Sequence, residues 1–140
     1  MPATQPRKLF LNLPVQDVAR SKAFFTKLGF AFNPQFEDAS SACMILSEEG
    51  YVMVMDRQRF QGFAKRPVPD PSQTTSGLYA LSAGSRAEVD ELVHAALAAG
   101  GAPAAEAQDH GFMYGWSFFD PDGHHWEVFW MDPRGPQEAQ

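Results

Sequence analysis

Two side chains near the end of the chain have types and a spacing that suit proton transfer. His125 and Glu127 lie two residues apart, and Glu127 has the apolar neighbours Trp126 and Val128. In a β-strand, residues two apart point to the same face, so the imidazole and the carboxylate would be neighbours. If that face lines a cavity, Glu127 could act as a general base with help from His125. The alternatives are a structural ion pair or backbone hydrogen bond for Glu127, and a solvated strand position for His125.

The same pair could contribute to a metal site only with help from another element, because catalytic metal ions usually have three protein ligands. Asp109, His110 and His94 are the remaining candidate ligands. We predict no cofactor, and a divalent ion at such a non-standard site is the alternative. Cys43 is the single cysteine, so it can form neither an internal disulfide nor a four-cysteine zinc site. We expect it to be a small, buried, apolar residue.

A second group of residues suits ligand binding rather than chemistry. Most of its members are apolar, and Asn12 adds an amide on the strand face that it shares with Phe10. A cavity with such walls would accept an apolar or aromatic guest. The alternative is core packing for each apolar member, and a hydrogen bond to a buried backbone group for Asn12. The predicted ligand-binding residues are Phe10, Asn12, Met53, Met55, Leu78, Trp116 and Phe118.

The elements that would position these residues occur in the same order twice. Residues 8–15 alternate as a strand, and Asp17 is placed to cap a helix that ends near Leu28. Three short strands follow, at residues 31–36, 41–47 and 51–56. Hence residues 8–56 form the first predicted βαβββ unit.

The second predicted unit covers residues 77–131 and begins with a strand at 77–83. Ser85 and Glu88 have the spacing of a capping box, ahead of an apolar stripe that ends at Gly100. Strands are predicted at 102–107, 112–119 and 124–131. The predicted fold class is therefore α+β.

Between the units, residues 57–76 break the pattern with four basic residues followed by three prolines. We predict a linker or a lid, with one helical turn near Phe60 and Phe63. Its cations, Arg57, Arg59, Lys65 and Arg66, could attract an anionic substrate to a cavity mouth. The alternative is a solvated linker. Residues 132–140 are predicted to be a tail.

Four motifs in these elements resemble the vicinal oxygen chelate superfamily, which contains glyoxalase I, extradiol dioxygenases, fosfomycin-resistance enzymes and bleomycin-resistance proteins. The most specific motif is the Asp-Pro-Asp-Gly turn of residues 120–123, followed by a strand that carries Glu127. The others are residues 13–30 around the first helix, residues 85–90 at the start of the second helix and residues 100–102 at its end. The resemblance covers residues 8–131. It implies curved, mixed half-barrel sheets around a cavity, and it implies a homodimer.

The resemblance also implies where a divalent metal would be held, and most of those positions lack a donor atom. Phe10 and Leu78 occupy the ligand positions of the two first strands, and Met53 is the best match on the last strand of the first unit. Only Glu127 has the type of a family ligand, and one carboxylate does not hold a divalent ion tightly. We therefore predict no classical metal site.

Three functions follow as hypotheses. The first is a protein that binds a small apolar or aromatic molecule without a classical metal site. The second is a metal-dependent enzyme of the lactoylglutathione lyase or dioxygenase type. The third is a metal-free enzyme in which Glu127 moves a proton. The sequence does not separate the first hypothesis from the third.

Composition excludes other classes of function. The 140 residues carry a net charge of −6, which disfavours nucleic acid as a partner. The sequence has no apolar stretch long enough to span a bilayer and no recognisable signal peptide, so we expect a cytoplasmic protein with a small-molecule ligand.

Overall fold

The computed structural model describes residues 6–135, which divide into two units between Val68 and Pro69. The predicted tail lies in part outside the described residues, from residue 136 onwards. The first unit contains, in chain order, β1 (Leu9–Val15), α1 (Val18–Lys27), β2 (Ala31–Phe32), a 3₁₀ turn (Pro34–Phe36), β3 (Ser41–Ile45), β4 (Gly50–Asp56) and α2 (Arg57–Phe63).

The second unit repeats the order of strand, helix and further strands. It contains β5 (Leu78–Ser82), α3 (Arg86–Ala98), β6 (Ala102–Pro103), β7 (Gln108–Asp109), β8 (Met113–Phe119) and β9 (His125–Met131).

Each unit has one mixed sheet in which the first and last strands are parallel neighbours. The strand order is β1-β4-β3-β2 in the first sheet, and β5-β9-β8-β6 in the second, where β7 also pairs with β8. The pairs β1–β4 and β5–β9 are parallel and the other pairs are antiparallel. Neither sheet closes into a barrel within residues 6–135. The predicted α+β class with two mixed, half-open sheets is confirmed.

Local capping signals start both long helices where the sequence predicted. The Asp17 carboxylate accepts a hydrogen bond from the backbone N–H of Arg20 at 3.1 Å. Ser85 Oγ accepts one from the Glu88 N–H at 3.1 Å, and the Glu88 carboxylate accepts one from the Gly84 N–H at 2.5 Å. These bonds satisfy N–H groups that have no partner inside the helix.

Two predicted strands differ from the structure. The strand predicted for 31–36 ends at Phe32, because Asn33 caps a 3₁₀ turn that Pro34 begins. Proline has no N–H to donate to a sheet, so it favours the start of a helical turn. The strand predicted for 102–107 is limited to the two residues of β6, and the equally short β7 begins only after the predicted range.

The Asp-Pro-Asp-Gly turn joins β8 to β9 through the buried carboxylate of Asp120. This carboxylate accepts hydrogen bonds from the N–H groups of Asp122 and His124 and from the indole Nε1 of Trp126, each at 3.0 Å. Burial raises the pKa of Asp120, against the opposing effects of His124 and the Trp126 hydrogen bond. Because Trp126 is fully buried on β9, the turn fixes the start of the strand that carries Glu127.

Candidate functional site

The open face of the first sheet, opposite α1, borders a cavity of about 530 Å³. Alternate residues of β4 divide between the two faces: Val52 and Val54 are fully buried, whereas Met53 and Met55 line the cavity. Asn12 of β1 lies opposite Met53 in the parallel ladder. The lining residues are Asn12, Met53, Met55, Arg59, Phe60, Phe63 and Ala64.

Helix α2 supplies the wall opposite the strands. Its N-terminus is capped by Asp56, whose carboxylate accepts from the Arg59 N–H at 2.8 Å. Gln61 holds the following chain by donating to the Arg66 carbonyl and accepting from the Val68 N–H, both at 3.2 Å. The predicted linker or lid therefore begins with a seven-residue helix, longer than the single turn predicted, and this helix packs near β1 and β4.

Arg59 is the one charged residue among the described residues that line this cavity. Its Nη1 donates to Asp38 Oδ2 at 2.9 Å and to Ser40 Oγ at 2.8 Å. Hydrogen bonds from Ser40, together with that from Arg59, hold the pKa of Asp38 well below its usual range. The guanidinium is thus anchored through one of its nitrogen atoms to a carboxylate that stays ionised.

Phe10 is the predicted ligand-binding residue of the first unit that does not line the cavity. Its ring stacks on Tyr51 at a centroid distance of 4.8 Å and remains 48% exposed, two residues before Asn12 on the same strand face. Asn12 donates through Nδ2 to the Phe10 carbonyl at 3.1 Å. Asn12 therefore lies at the cavity, and its amide donates to an exposed backbone carbonyl rather than to the buried group of the alternative.

Part of this wall was not among the predicted ligand-binding residues. Arg59, Phe60 and Phe63 were predicted to lie in a linker or in a lid at a cavity mouth. The available signal was the pair of phenylalanines three residues apart next to basic residues, a spacing that places both rings on one face of a helix.

The second sheet borders another cavity, of about 460 Å³. Glu127 of β9 lies opposite Ala80 of β5 and Ser117 of β8, and all three line the cavity. The segment around β7 contributes polar side chains, and the other lining residues are mostly apolar. The lining residues are Leu78, Ala80, Ala105, Glu106, Gln108, His110, Met113, Gly115, Trp116, Ser117, Glu127, Phe129 and Met131.

The predicted catalytic pair is in contact at this wall. His125 Nε2 lies 3.1 Å from Glu127 Oε1, within hydrogen-bond distance. The His125 ring packs edge to face on Phe119 at a centroid distance of 5.3 Å, which limits its orientation. The structure thus places Glu127 at a cavity, with His125 as the partner of its carboxylate.

Of the two predicted ligand-binding residues of β8, Trp116 borders the cavity and Phe118 does not, and ligand binding by either residue stays a prediction. Phe118 is fully buried and lies across from Trp126, on the face that α3 covers. The Trp116 ring packs edge to face on His94 of α3, and Trp116 also borders the cavity. Most side chains on both faces of β8 are apolar or aromatic, so the alternating pattern alone did not show which face is open.

The metal ion that the resemblance implies does not fit the residues present. The positions of Phe10, Met53 and Leu78 carry no oxygen or nitrogen donor in their side chains, and thioether sulfur is a poor ligand for hard or borderline divalent ions. No three His, Cys, Asp or Glu side chains come together as a metal-binding group within residues 6–135. The thiol of Cys43 is buried, and burial raises its pKa, which favours the protonated form of a small apolar residue.

Comparisons with known proteins agree with this fold. Residues 7–54 match a family model described as bleomycin resistance protein-like N-terminal. The chain is similar to the structure of a hypothetical protein SA1046 from S. aureus, with 28% identity and a TM-score of 0.74, over 89% of this chain and 94% of that one. A search of curated proteins finds no match.

Two further structures share the fold at lower identity. A glyoxalase-related enzyme from Fulvimarina pelagi is 23% identical with a TM-score of 0.76, over 90% of this chain and 88% of that one. A genomically encoded fosfomycin resistance protein, FosX, from Listeria monocytogenes is 18% identical with a TM-score of 0.64, over 96% and 98%.

The chain thus has the glyoxalase-like fold, and its first unit is similar to the bleomycin resistance protein-like N-terminal family. No helix within residues 6–135 is long and apolar enough to cross a bilayer.

Proposed function

We propose that this protein binds a small apolar or aromatic molecule in the cavity of its first unit, without a classical metal site. The observation that carries the proposal is the composition of that cavity wall, in which Met53, Met55, Phe60 and Phe63 provide thioether and aromatic surface. Methionine side chains adapt to irregular apolar guests and make favourable contacts with aromatic rings. A wall of this kind, with few polar groups, is typical of a small-molecule site.

A titration with a neutral aromatic probe tests the proposal. Binding of 2-naphthylmethanol would be measured by isothermal titration calorimetry for the native chain and for Phe60→Ala. Truncation of one aromatic wall should weaken binding roughly tenfold, because it removes apolar contact area from the bound ring. Phe36→Ala is the matched control, since Phe36 is exposed on the same unit and does not line the cavity. Equal losses in both variants, or no binding by the native chain, would contradict the proposal.

Metal-free proton transfer is the second candidate function, and the 3.1 Å contact between His125 and Glu127 at the wall of the second cavity favours it. A carboxylate oriented by an imidazole could remove a proton next to the carbonyl of a small substrate. Exchange of carbon-bound hydrogen for deuterium in dihydroxyacetone, followed by NMR, should then depend on Glu127. Glu127→Gln should abolish the exchange, and Glu91→Gln, at an exposed position on α3, should not. Absence of exchange with the native chain would leave the binding proposal alone.

A homodimer and a cytoplasmic location stay predictions. Large apolar side chains at the strand ends, Leu9, Leu78 and Met131, are exposed in the single chain, which supports association. Sedimentation equilibrium would measure the assembly directly. A monomer at high protein concentration would contradict it.

A further inference from the structure

We infer that the cavity of the first unit selects molecules that carry an anionic group, such as a carboxylate, on an apolar body, and that Arg59 recognises this group. The inference rests on the proposed function, because it names the class of ligand for the same cavity. It concerns the first unit alone and makes no use of Glu127.

The hydrogen bonds of Arg59 leave one edge of its guanidinium available. Nη1 makes both side-chain contacts, to Asp38 and to Ser40. Within residues 6–135, Nε and Nη2 make no hydrogen bond. These two atoms form an edge whose parallel N–H groups match the two oxygens of a carboxylate.

The contacts of Nη1 also restrict the side chain before any ligand arrives. Asp38 is itself held by Ser40, which donates to Oδ1 from its backbone N–H and its hydroxyl, both at 2.8 Å. An arginine anchored at one end loses less conformational freedom on binding than a free one. The Asp38–Arg59 pair is partly exposed, so solvent screens the compensating charge of Asp38.

The surroundings of Arg59 favour an anion over a cation. Residues 57–66 contain four basic residues and no acidic one, in a chain whose net charge is −6. Their combined potential attracts anions to this side of the unit and repels ammonium groups. Met55 and Phe60 line the same cavity as Arg59, so the apolar body of such a ligand would lie beside the guanidinium.

Three naphthalene probes that differ only in charge test the inference: 2-naphthoate, 2-naphthylmethanol and 2-naphthylmethylammonium. Calorimetry at neutral pH should show that 2-naphthoate binds about tenfold more tightly than the alcohol, with the ammonium compound weakest, because a hydrogen bond to a charged group contributes more than a neutral one. Arg59→Met keeps a long apolar side chain and removes the charge. It should weaken 2-naphthoate binding by about tenfold and change alcohol binding by less than about twofold.

Two further variants separate recognition from general electrostatics. Lys27→Met removes the same charge from an exposed position on α1 of the same unit, and it should leave the preference for 2-naphthoate unchanged. Arg59→Lys keeps the charge without the paired N–H edge, and its affinity for 2-naphthoate should lie between those of the native chain and Arg59→Met. Circular dichroism would verify the fold of each variant, and an exposed ion pair contributes little to stability.

The outcomes distinguish the proposed function from the selection of anions by Arg59. If the alcohol binds and 2-naphthoate binds no more tightly, the proposed function stands and this inference is overturned. If Lys27→Met and Arg59→Met lose equal affinity for 2-naphthoate, Arg59 is not the selecting residue and the inference is again overturned. If none of the three probes binds the native chain, both the proposed function and the inference fail.

Discussion

Replacing Asp120 with alanine would remove three hydrogen bonds from the turn that precedes β9. Two of the donors, the His124 N–H and the indole Nε1 of Trp126, are buried, so water cannot replace the lost carboxylate without opening the structure. A buried donor without a partner costs about 1–3 kcal/mol, which gives a loss of roughly 2–6 kcal/mol for the two. Since 1 kcal/mol lowers the Tm of a chain of this size by about 3–4 °C, the Tm should fall by roughly 6–24 °C.

The variant Asp120→Asn should lose less stability than Asp120→Ala, so the two variants can be compared. Its amide oxygen can still accept from the backbone N–H groups, whereas its NH₂ group would face the indole donor of Trp126. It should therefore cost about 1–3 kcal/mol, less than alanine. Thermal unfolding followed by near-ultraviolet circular dichroism measures the series, with Glu91→Gln as a surface control. An alanine variant within about 1 kcal/mol of the native chain would refute the assignment of this carboxylate as the support of β9.

Three further predictions concern the same fold. Gly123→Ala should lower the free energy of unfolding by about 1–3 kcal/mol, because Gly123 has φ +98° and a Cβ would lie 2.7 Å from the Pro71 carbonyl oxygen. The control Gly62→Ala, at a position with open space around it, should not destabilise the protein. The hydrogen bond from Arg86 is the main cause that lowers the pKa of Asp109. The stabilising effect of this bond is therefore present above the unfolded pKa of about 3.9 and is lost as the pH falls through the folded pKa. In urea titrations, the difference in stability between the native chain and Arg86→Met should shrink on acidification. Dialysis of an untagged chain against EDTA should leave the Tm unchanged, and elemental analysis showing one metal per chain after dialysis would contradict the ligand geometry.

Signals that act within a few residues were sufficient to predict the helix starts. Asp17 and Ser85 each bond to an N–H three residues ahead, a distance that the sequence fixes directly. The end of β2 was missed although the signal was equally local, since Pro34 stands just beyond it. Short strands such as β6 and β7 have only two residues, which is less than one period of an alternating pattern, so their limits depend on pairing with β8.

The placement of α2 depends on contacts with β1 and β4, which lie before it in the chain and cannot be deduced from its own sequence. A seven-residue helix that contains Gly62 is marginal by itself, since short helices gain most of their stability from packing and capping. Here Asp56 caps it, Gln61 ties it to the chain that follows, and Phe60 lies toward the cavity. Arg59 becomes a cavity residue only because this helix lies beside β1 and β4.

The register of the two sheets places different side chains at corresponding positions of the two units. In the first sheet Asn12 lies opposite Met53, and in the second sheet Ala80 lies opposite Glu127, at the same step of a parallel pair. A thioether at this position adds polarisable apolar surface, whereas a carboxylate adds an acceptor that can bind or move a proton. Apolar binding is therefore a hypothesis about the first cavity, and proton transfer is a hypothesis about the second. A result with Phe60→Ala leaves the role of Glu127 open, and a result with Glu127→Gln leaves the apolar cavity untested, so both variants are needed to choose between the two functions.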